Sequence, residues 1–257
     1  IPYNCESDFT NLKNVDIYKI KGAHPSGNES FQINRIDPLN SGEIVWVVKP
    51  EDLANIGSFF KTGVYSPKRT VAVSGDSLKS PKYFDTVIGS SISSLVDSKE
   101  FSNTEDYRFI NGDPLSGSKV QYSDFIGFYN NTLSVIKEGN HFRMLGWLPF
   151  MYNSVPSFSK TSFSWLLGGE KKVNTNLNGE ERAIVVTGEM EKYFPMDIFP
   201  MQLIKACMRG DIEKMESLGI YEVVPEDFGL VDFSCTSKIE AQEIVKSGIQ
   251  IMLKEVG

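Results

Sequence analysis

The stretch that most constrains the fold is residues 69–117, where signals for a strand, a turn, a short helix and a second strand follow one another without conflict. Residues 70–75 are rich in β-branched side chains and end on glycine, a pattern that predicts a strand running into a turn. Residues 107–110 predict the returning strand. The loop at 111–117 is rich in glycine, asparagine, aspartate and proline, which favour tight turns.

A short helix is predicted between these two strands, at residues 90–96. A serine at its start can accept hydrogen bonds from the first backbone N–H groups, and Ile92, Leu95 and Val96 fall on one face. A strand, a proline-marked loop, a short helix and a returning strand make a small β-grasp unit. The order of these segments resembles the β-grasp module that binds soluble ligands.

The segment after this unit predicts a hairpin, because residues 125–129 and 132–136 are apolar runs separated by an Asn-Asn pair. A third apolar run, residues 142–148, follows a Gly-Asn pair. We assign residues 68–148 to the β-grasp module with this hairpin as an extension.

Residues 1–67 predict the last part of an α/β domain with a Rossmann-like arrangement. Residues 14–20 alternate apolar and polar side chains, and the continuous apolar run at 44–48 suits a strand covered on both faces. Because the chain opens on Ile1 and not on methionine, we expect a fragment whose α/β domain begins upstream. A helix then starts at a proline, with acidic residues in its first turn. Its buried stripe is predicted to consist of Leu53, Ile56, Phe59 and Phe60.

Residues 149–257 are predicted to be mainly helical, which makes the fold class α+β in several domains. A short helix is expected at 157–167, and a longer one carries an apolar stripe through Met201, Leu203, Ile204 and Met208 and ends at Gly210. Further helices are predicted at residues 211–218, 225–231 and 238–256. Together they are expected to form a small helical bundle.

Charge and composition narrow the classes of function. The net charge of −7 over 257 residues argues against a nucleic-acid-binding surface, since phosphate contacts need clustered Lys and Arg. No apolar run approaches the ~20 residues that span a bilayer, so we expect a soluble chain. Cys5, Cys207 and Cys235 lack the spacing of a disulfide framework or a C-x-x-C metal site, which favours a reducing, cytoplasmic setting.

The sequence predicts no catalytic, cofactor-binding or metal-binding residues. As a catalytic base, His24 or His141 would need a partnered carboxylate, and a structural hydrogen bond is the commoner role of such histidines. No G-x-G-x-x-G or Walker A sequence offers a phosphate cradle. The charged runs at 180–182 and 189–192 are typical of a solvated face, and the Met- and Phe-rich stripe at 194–208 is typical of a core or a partner interface.

Several segments, in the same order, resemble one known family, the NqrA subunits of the sodium-translocating NADH:quinone reductases. The similarity begins with the loop at 22–27, the segment around Trp46 and the helix residues 52–57. Its most specific piece is the sequence YFPMDIFP at residues 193–200. Further segments that match the family lie at residues 61–63, 69–75, 112–117, 146–147, 176–182, 218–219 and 226–230.

This resemblance implies a peripheral subunit on the cytoplasmic face of a six-subunit bacterial membrane complex that oxidises NADH, reduces quinone and exports Na⁺. It also implies kinship with the flavin-binding subunit of respiratory complex I and the C subunit of the Rnf complex, which hold FMN and iron–sulfur clusters. Near the cysteine-rich runs of the Rnf relative this chain keeps only Cys235. We therefore expect no bound cofactor in this chain, with quinone as a ligand of the assembled complex.

Three interpretations of the function follow. The first is a structural and docking subunit without catalysis of its own, whose partners are the other subunits of the complex, above all its membrane subunits, and which contributes to quinone binding. The second is an enzyme domain that binds FMN or NADH, although the missing glycine fingerprint argues against it. The third is a stand-alone β-grasp protein that binds a small ligand.

Overall fold

A computed structural model describes residues 1–101, 103–139, 173–185 and 188–255 of the chain. The predicted strand at 142–148, the predicted helix at 157–167 and His141 lie outside these ranges. The domain boundaries expected from the sequence, which divide the chain after residues 67 and 148, stay a prediction.

The chain divides into two compact units. We call Val48–Ala183 with Thr236–Lys238 the sheet unit, and Ile1–Val47 with Ile184–Cys235 and Ile239–Gly257 the helical unit. Each unit is described by itself below.

Seven α-helices and five β-strands lie within the described ranges, joined by turns and short 3₁₀ segments. The helices are α1 (Glu29–Ile36), α2 (Pro50–Thr62), α3 (Ile92–Leu95), α4 (Pro200–Arg209), α5 (Ile212–Ser217), α6 (Gly229–Ser234) and α7 (Ala241–Glu255). The strands are β1 (Lys68–Ser74), β2 (Lys82–Val87), β3 (Tyr107–Asn111), β4 (Ser118–Val120) and β5 (Thr132–Lys137). No helix in the part of the chain that the structure describes is long and apolar enough to cross a membrane.

A mixed five-stranded sheet, in the order β2-β1-β5-β3-β4, is the framework of the sheet unit. β1 and β5 run parallel, and the other neighbouring strands are antiparallel. Gly75, which ends the predicted first strand, has φ +132°, and a Cβ there would lie 2.0 Å from the carbonyl oxygen of Val135. Glycine is therefore required where the chain leaves β1.

The core of the sheet unit lies between the sheet and α3. Ile92, Leu95 and Val96, predicted to share one helical face, are all buried there, as are Val71 and Phe109. The strands expected at 70–75 and 107–110 and the helix expected at 90–96 are thus confirmed as β1, β3 and α3.

The predicted hairpin at 125–136 is wrong in its first half. Residues 125–129 form no strand, and only an isolated bridge joins Phe125 to Ser91. The second half is β5, whose partners are β1 and β3 and not the segment before it. The buried run of β5 finds a place at the centre of the sheet, where both of its faces are covered, and this burial decides its pairing.

β2 and β4 are not foreseen by the sequence pattern. β2 carries Lys, Asp and Thr among its six residues, and β4 has only three residues. Both are edge strands, with one neighbour each. Edge strands are often short and polar, which protects the sheet from pairing with other chains, and the same composition weakens the sequence signal.

Buried apolar side chains of α4 and α7 form the centre of the helical unit. Met201, Leu203 and Ile204 of α4 are buried as predicted, although Met208 is exposed. A Cβ at Gly248 of α7 would lie 2.5 Å from the Sγ atom of Cys207, so the two helices meet closely at this glycine. The helices predicted at 211–218, 225–231 and 238–256 are confirmed, the middle one as a 3₁₀ turn (Pro225–Phe228) followed by α6.

The first helix of the chain, α1, is tied to the C-terminal helices through Asp227, which is buried. Ser30 Oγ donates a hydrogen bond of 2.6 Å to Asp227 Oδ1, and Asn28 Nδ2 donates one of 3.1 Å. The backbone N–H of Val224 donates to the other carboxylate oxygen. α1 was not predicted, because these contacts join residues about two hundred positions apart, beyond the reach of local patterns.

Two predictions for residues 1–67 are wrong. Residues 14–20 and 44–48 form no strand, and Trp46 is 89% exposed. α2 is confirmed, but its expected buried stripe of Leu53, Ile56, Phe59 and Phe60 is exposed. A strand needs a hydrogen-bonded neighbour, and residues 1–65 contain none for these runs.

We expect the same substitution to have different effects at two leucines of the sheet unit. Leu133→Ala should lower the free energy of unfolding by about 2–5 kcal/mol, because Leu133 of β5 is 0% exposed and its loss leaves a cavity. Leu53→Ala on α2 serves as the control, since Leu53 is 44% exposed, and should change stability much less. Urea unfolding of both variants measures the difference, and equal losses would contradict the described core.

Candidate functional site

A cleft of about 210 Å³ opens on the sheet unit beside the antiparallel strands β3 and β4. The 3₁₀ turn before β3, the residues that follow β4 and the first residue after β5 complete its walls. The residues that line it are Thr104, Glu105, Tyr107, Phe109, Lys119, Val120, Gln121, Tyr122 and Glu138.

The wall of this cleft next to the core is aromatic. The rings of Phe109 and Tyr122 lie 5.6 Å apart between centroids, and Phe101 stacks at 4.6 Å on Tyr107 and at 5.7 Å on Phe109. The hydroxyl of Tyr122 donates to the carbonyl of Val96 at 2.9 Å, which fixes its ring. A fixed group of rings provides a surface on which a flat apolar ligand can pack.

Glu138 provides the charged edge of the cleft. Its carboxylate accepts hydrogen bonds from Arg108 at 2.5 Å, from Lys119 at 3.4 Å and from Thr175 Oγ1 at 3.1 Å. Burial by itself raises the pKa of the Glu138 carboxyl, but these hydrogen bonds and the charge of Arg108 outweigh it and hold that pKa below its ordinary value. The side chain therefore stays ionised at neutral pH and suits charge pairing more than proton transfer.

Helix α2 is the second notable feature of the sheet unit, because its polar side binds the sheet. Arg69 of β1, whose side chain is 2% exposed, donates to Asp52 at 2.6 Å. The backbone N–H of Thr70 donates to Glu51 at 2.7 Å, and Asn55 donates to the carbonyl of Lys68 at 3.3 Å.

The apolar side of α2 is exposed. Leu53, Ile56 and Phe60 are spaced as one helical stripe, and Phe60 is 83% exposed. A helix usually turns its apolar stripe to the core and its polar residues to water. α2 reverses this arrangement, which leaves an apolar surface without a partner among the described residues.

The residues considered for chemistry do not come together. His24 is exposed in the loop at 22–27, whereas His141 lies outside the described residues. Cys207 and Cys235 are buried, and burial raises the pKa of the Cys207 thiol to about 11, which keeps it protonated. Within the described ranges, no group of three or more His, Cys, Asp or Glu side chains could hold a metal ion.

The other motifs have structural surroundings. The stripe at 194–208 lies largely in the core, with Phe194, Met196 and Met201 buried. In the run at 189–192, Lys192 pairs with Glu189 at 2.7 Å on the surface. Neither motif adds a reactive group to the cleft.

The sequence did not single out the cleft. Its walls come from five separate segments, and the pairing of β3 with β4 and β5 brings Lys119 close to Glu138. The only local signal was the aromatic content of residues 101–122, which is equally typical of an ordinary core. The exposed stripe of α2 was recognised as apolar but assigned to the wrong environment.

Comparisons with known proteins place two matched regions on the chain. A family model described as the NqrA second alpha/beta domain matches residues 3–65, and one described as the NQRA C-terminal domain, of the SLBB type, matches residues 70–122. The first region contains α1 and α2, and the second contains β1 to β4.

Whole-chain relatives are NqrA subunits of Na(+)-translocating NADH-quinone reductases. The chain is 32% identical to the protein from Neisseria meningitidis, 33% to that from Pasteurella multocida and 30% to that from Rhodopirellula baltica. The three alignments cover 95%, 98% and 98% of this chain but only 55%, 56% and 56% of the relatives. The chain thus spans little more than half the length of these relatives.

We expect the contribution of Glu138 to stability to depend on pH. Because its pKa is lowered in the folded state, the contribution is complete above the pKa of the unfolded chain and is lost as the pH falls through the folded-state pKa. The stability difference between the wild type and Glu138→Gln, from urea unfolding at pH 7 down to pH 3, should shrink on acidification. The control Glu255→Gln, at the exposed end of α7, should have little effect throughout, and a constant difference for Glu138→Gln would contradict the assignment.

Proposed function

The chain belongs to the NqrA family of the Na(+)-translocating NADH-quinone reductases, and we propose that it acts in such a reductase as a docking part without catalysis of its own. The relatives are named as subunits, which supports an assembly with other subunits as the setting. In this proposal the chain is peripheral and lies on the cytoplasmic face of the membrane.

We further propose the finer architecture that the sequence suggested, in which the end of a Rossmann-like α/β domain is followed by a β-grasp module and a helical domain. The sheet order β2-β1-β5-β3-β4, with its parallel central pair, supports the β-grasp assignment. The cluster of buried side chains around α4 and α7 supports a separate helical core.

The observation that carries the docking proposal is the loop at residues 125–129, which we call the aromatic loop. Phe125, Phe128 and Tyr129 are exposed, the last by 72%. Exposed aromatic side chains that lie together are typical of protein interfaces and contribute much of their binding energy.

The backbone of the aromatic loop is held in place from below. Ile126, between the exposed rings, is buried, and its N–H donates to the carbonyl of Ser90 at 2.9 Å. Asn111 donates to the carbonyl of Phe125 at 3.2 Å, and Lys49 donates to that of Tyr129 at 2.8 Å. A loop fixed in this way loses little conformational entropy on binding, which favours association.

The absence of catalysis is also part of the proposal. In the described residues the one well-placed carboxylate of the cleft, Glu138, is engaged in ion pairs and hydrogen bonds. The chain has no glycine fingerprint for FMN or NADH phosphates, which weighs against a role as a nucleotide-binding enzyme.

We expect the double variant Phe128→Ser, Tyr129→Ser to lose association with the other subunits. Co-expression with the membrane subunits, followed by affinity purification, should recover the wild type in the complex and at least about tenfold less of the variant, as for an interface hot spot. Leu253→Ser, at an exposed position of α7, is the control and should co-purify like the wild type. Failure of the wild type to associate, or normal association of a folded double variant, would contradict the docking role.

A second candidate role, a contribution to quinone binding, is favoured by the aromatic wall of the cleft and the ammonium group of Lys119 at its edge. A short-chain ubiquinone analogue should raise the melting temperature of the wild type, because it binds the folded state. Lys119→Ala should reduce this rise, and Lys99→Ala, an exposed lysine on another turn, should not. No rise with quinone would exclude the role, and a rise with FMN or NADH would favour the enzyme interpretation instead.

A further inference from the structure

The reversed orientation of α2 requires a partner for its apolar stripe. The contacts of Glu51, Asp52 and Asn55 with β1 fix which side of the helix faces the sheet. Turning the helix over would bury the stripe but would strand the buried Arg69 guanidinium without its carboxylate, at a large energetic penalty. The stripe of Leu53, Ile56 and Phe60 therefore stays outward as long as β1 keeps its sequence.

The family match indicates what kind of partner is missing. α2 lies within residues 3–65, which match an α/β domain, and not within the region 70–122 that matches the SLBB-type domain. The helices of an α/β domain bury their apolar stripes on a β-sheet. Residues 3–65 are all described, and they contain two α-helices but no strand. The helix is present, and the sheet that it should cover is not.

A second segment of the same match shows the same shortage. Residues 44–47 form a continuous apolar run immediately before α2 in sequence, yet Ile44 and Trp46 are among the most exposed side chains of the helical unit. Continuous apolar runs of this kind are typical of segments that are covered on both faces. Two apolar segments of one matched domain thus lack cover.

We propose that the apolar stripe of α2 is covered by a β-sheet formed by the part of the NqrA polypeptide that corresponds to the unmatched share of its relatives. The alignments leave about 45% of the relatives' length without a counterpart in these 257 residues, from 100% less the 55% covered. A stretch of that size is ample for the rest of an α/β domain. The stripe has no charged residue, so it fits an apolar sheet face better than a polar surface of another subunit.

This inference goes beyond the docking role, because it assigns the stripe to the same polypeptide and leaves the aromatic loop to other subunits. The two proposals can fail separately. Loss of the aromatic loop's partner would leave α2 covered, and an uncovered α2 would not prevent the aromatic loop from binding.

The test compares two polypeptides by hydrogen–deuterium exchange, namely the 257-residue chain and the product of the whole reading frame that encodes it. We expect the backbone amides of α2 to exchange at least about 100-fold more slowly in the longer product, since cover suppresses local opening. Phe60→Ser should remove most of this protection in the longer product and should have little effect in the 257-residue chain. Tyr83→Ser, which removes an exposed aromatic ring from β2, is the matched control and should change neither.

Three results would overturn the inference. The first is a reading frame that encodes no further residues. The second is an unchanged exchange rate of the α2 amides in the longer product. The third is protection of α2 that arises only when the other subunits are added, which would assign the stripe to an intersubunit contact. The melting temperature gives an independent check, because Phe60→Ser should lower it only in the longer product.

Discussion

The ion pair between Arg69 and Asp52 determines which surfaces the sheet unit presents. The guanidinium group is buried, its only ion-pair partner among the described residues is 2.6 Å away, and its Nε atom has no hydrogen-bond partner there. A buried charge without its partner would be strongly destabilising, so α2 is bound to β1 through its polar side. The consequence is an exposed stripe of Leu53, Ile56 and Phe60. One electrostatic contact thus explains why an apolar surface persists on a chain of ordinary composition.

The central position of β5 explains the other functional features of this unit. Because β5 pairs with β1 on one side and β3 on the other, it places Glu138, the first residue after it, beside Arg108 and Lys119. The chain that leads into β5 carries the aromatic loop, and Ile126 anchors that loop in the same core. The cleft and the loop are therefore both properties of one packed sheet. A ligand in the cleft and a partner on the loop would each stabilise this sheet.

Local sequence patterns predicted the elements that local chemistry specifies. β1, β3 and α3 follow from β-branched runs, turn residues and the spacing of Ile92, Leu95 and Val96, and α4 to α7 follow from apolar periodicity with glycine at helix ends. The predictions failed where a distant partner decides the outcome. Residues 44–48 look like a buried strand but have no neighbour to pair with, and α1 depends on Asp227 near the other end of the chain. The cleft could not be foreseen, since its walls come from segments that only the sheet brings together.

The family comparisons give the setting in which the exposed surfaces make sense. A chain that spans little more than half the length of its relatives, and whose described residues bring no reactive groups together, is suited to hold other parts in place. The most direct test is a cryo-electron microscopy structure of a reductase complex that contains this chain. A docking role predicts that Phe125, Phe128 and Tyr129 are buried against another subunit. An aromatic loop that faces solvent in the intact complex would contradict it.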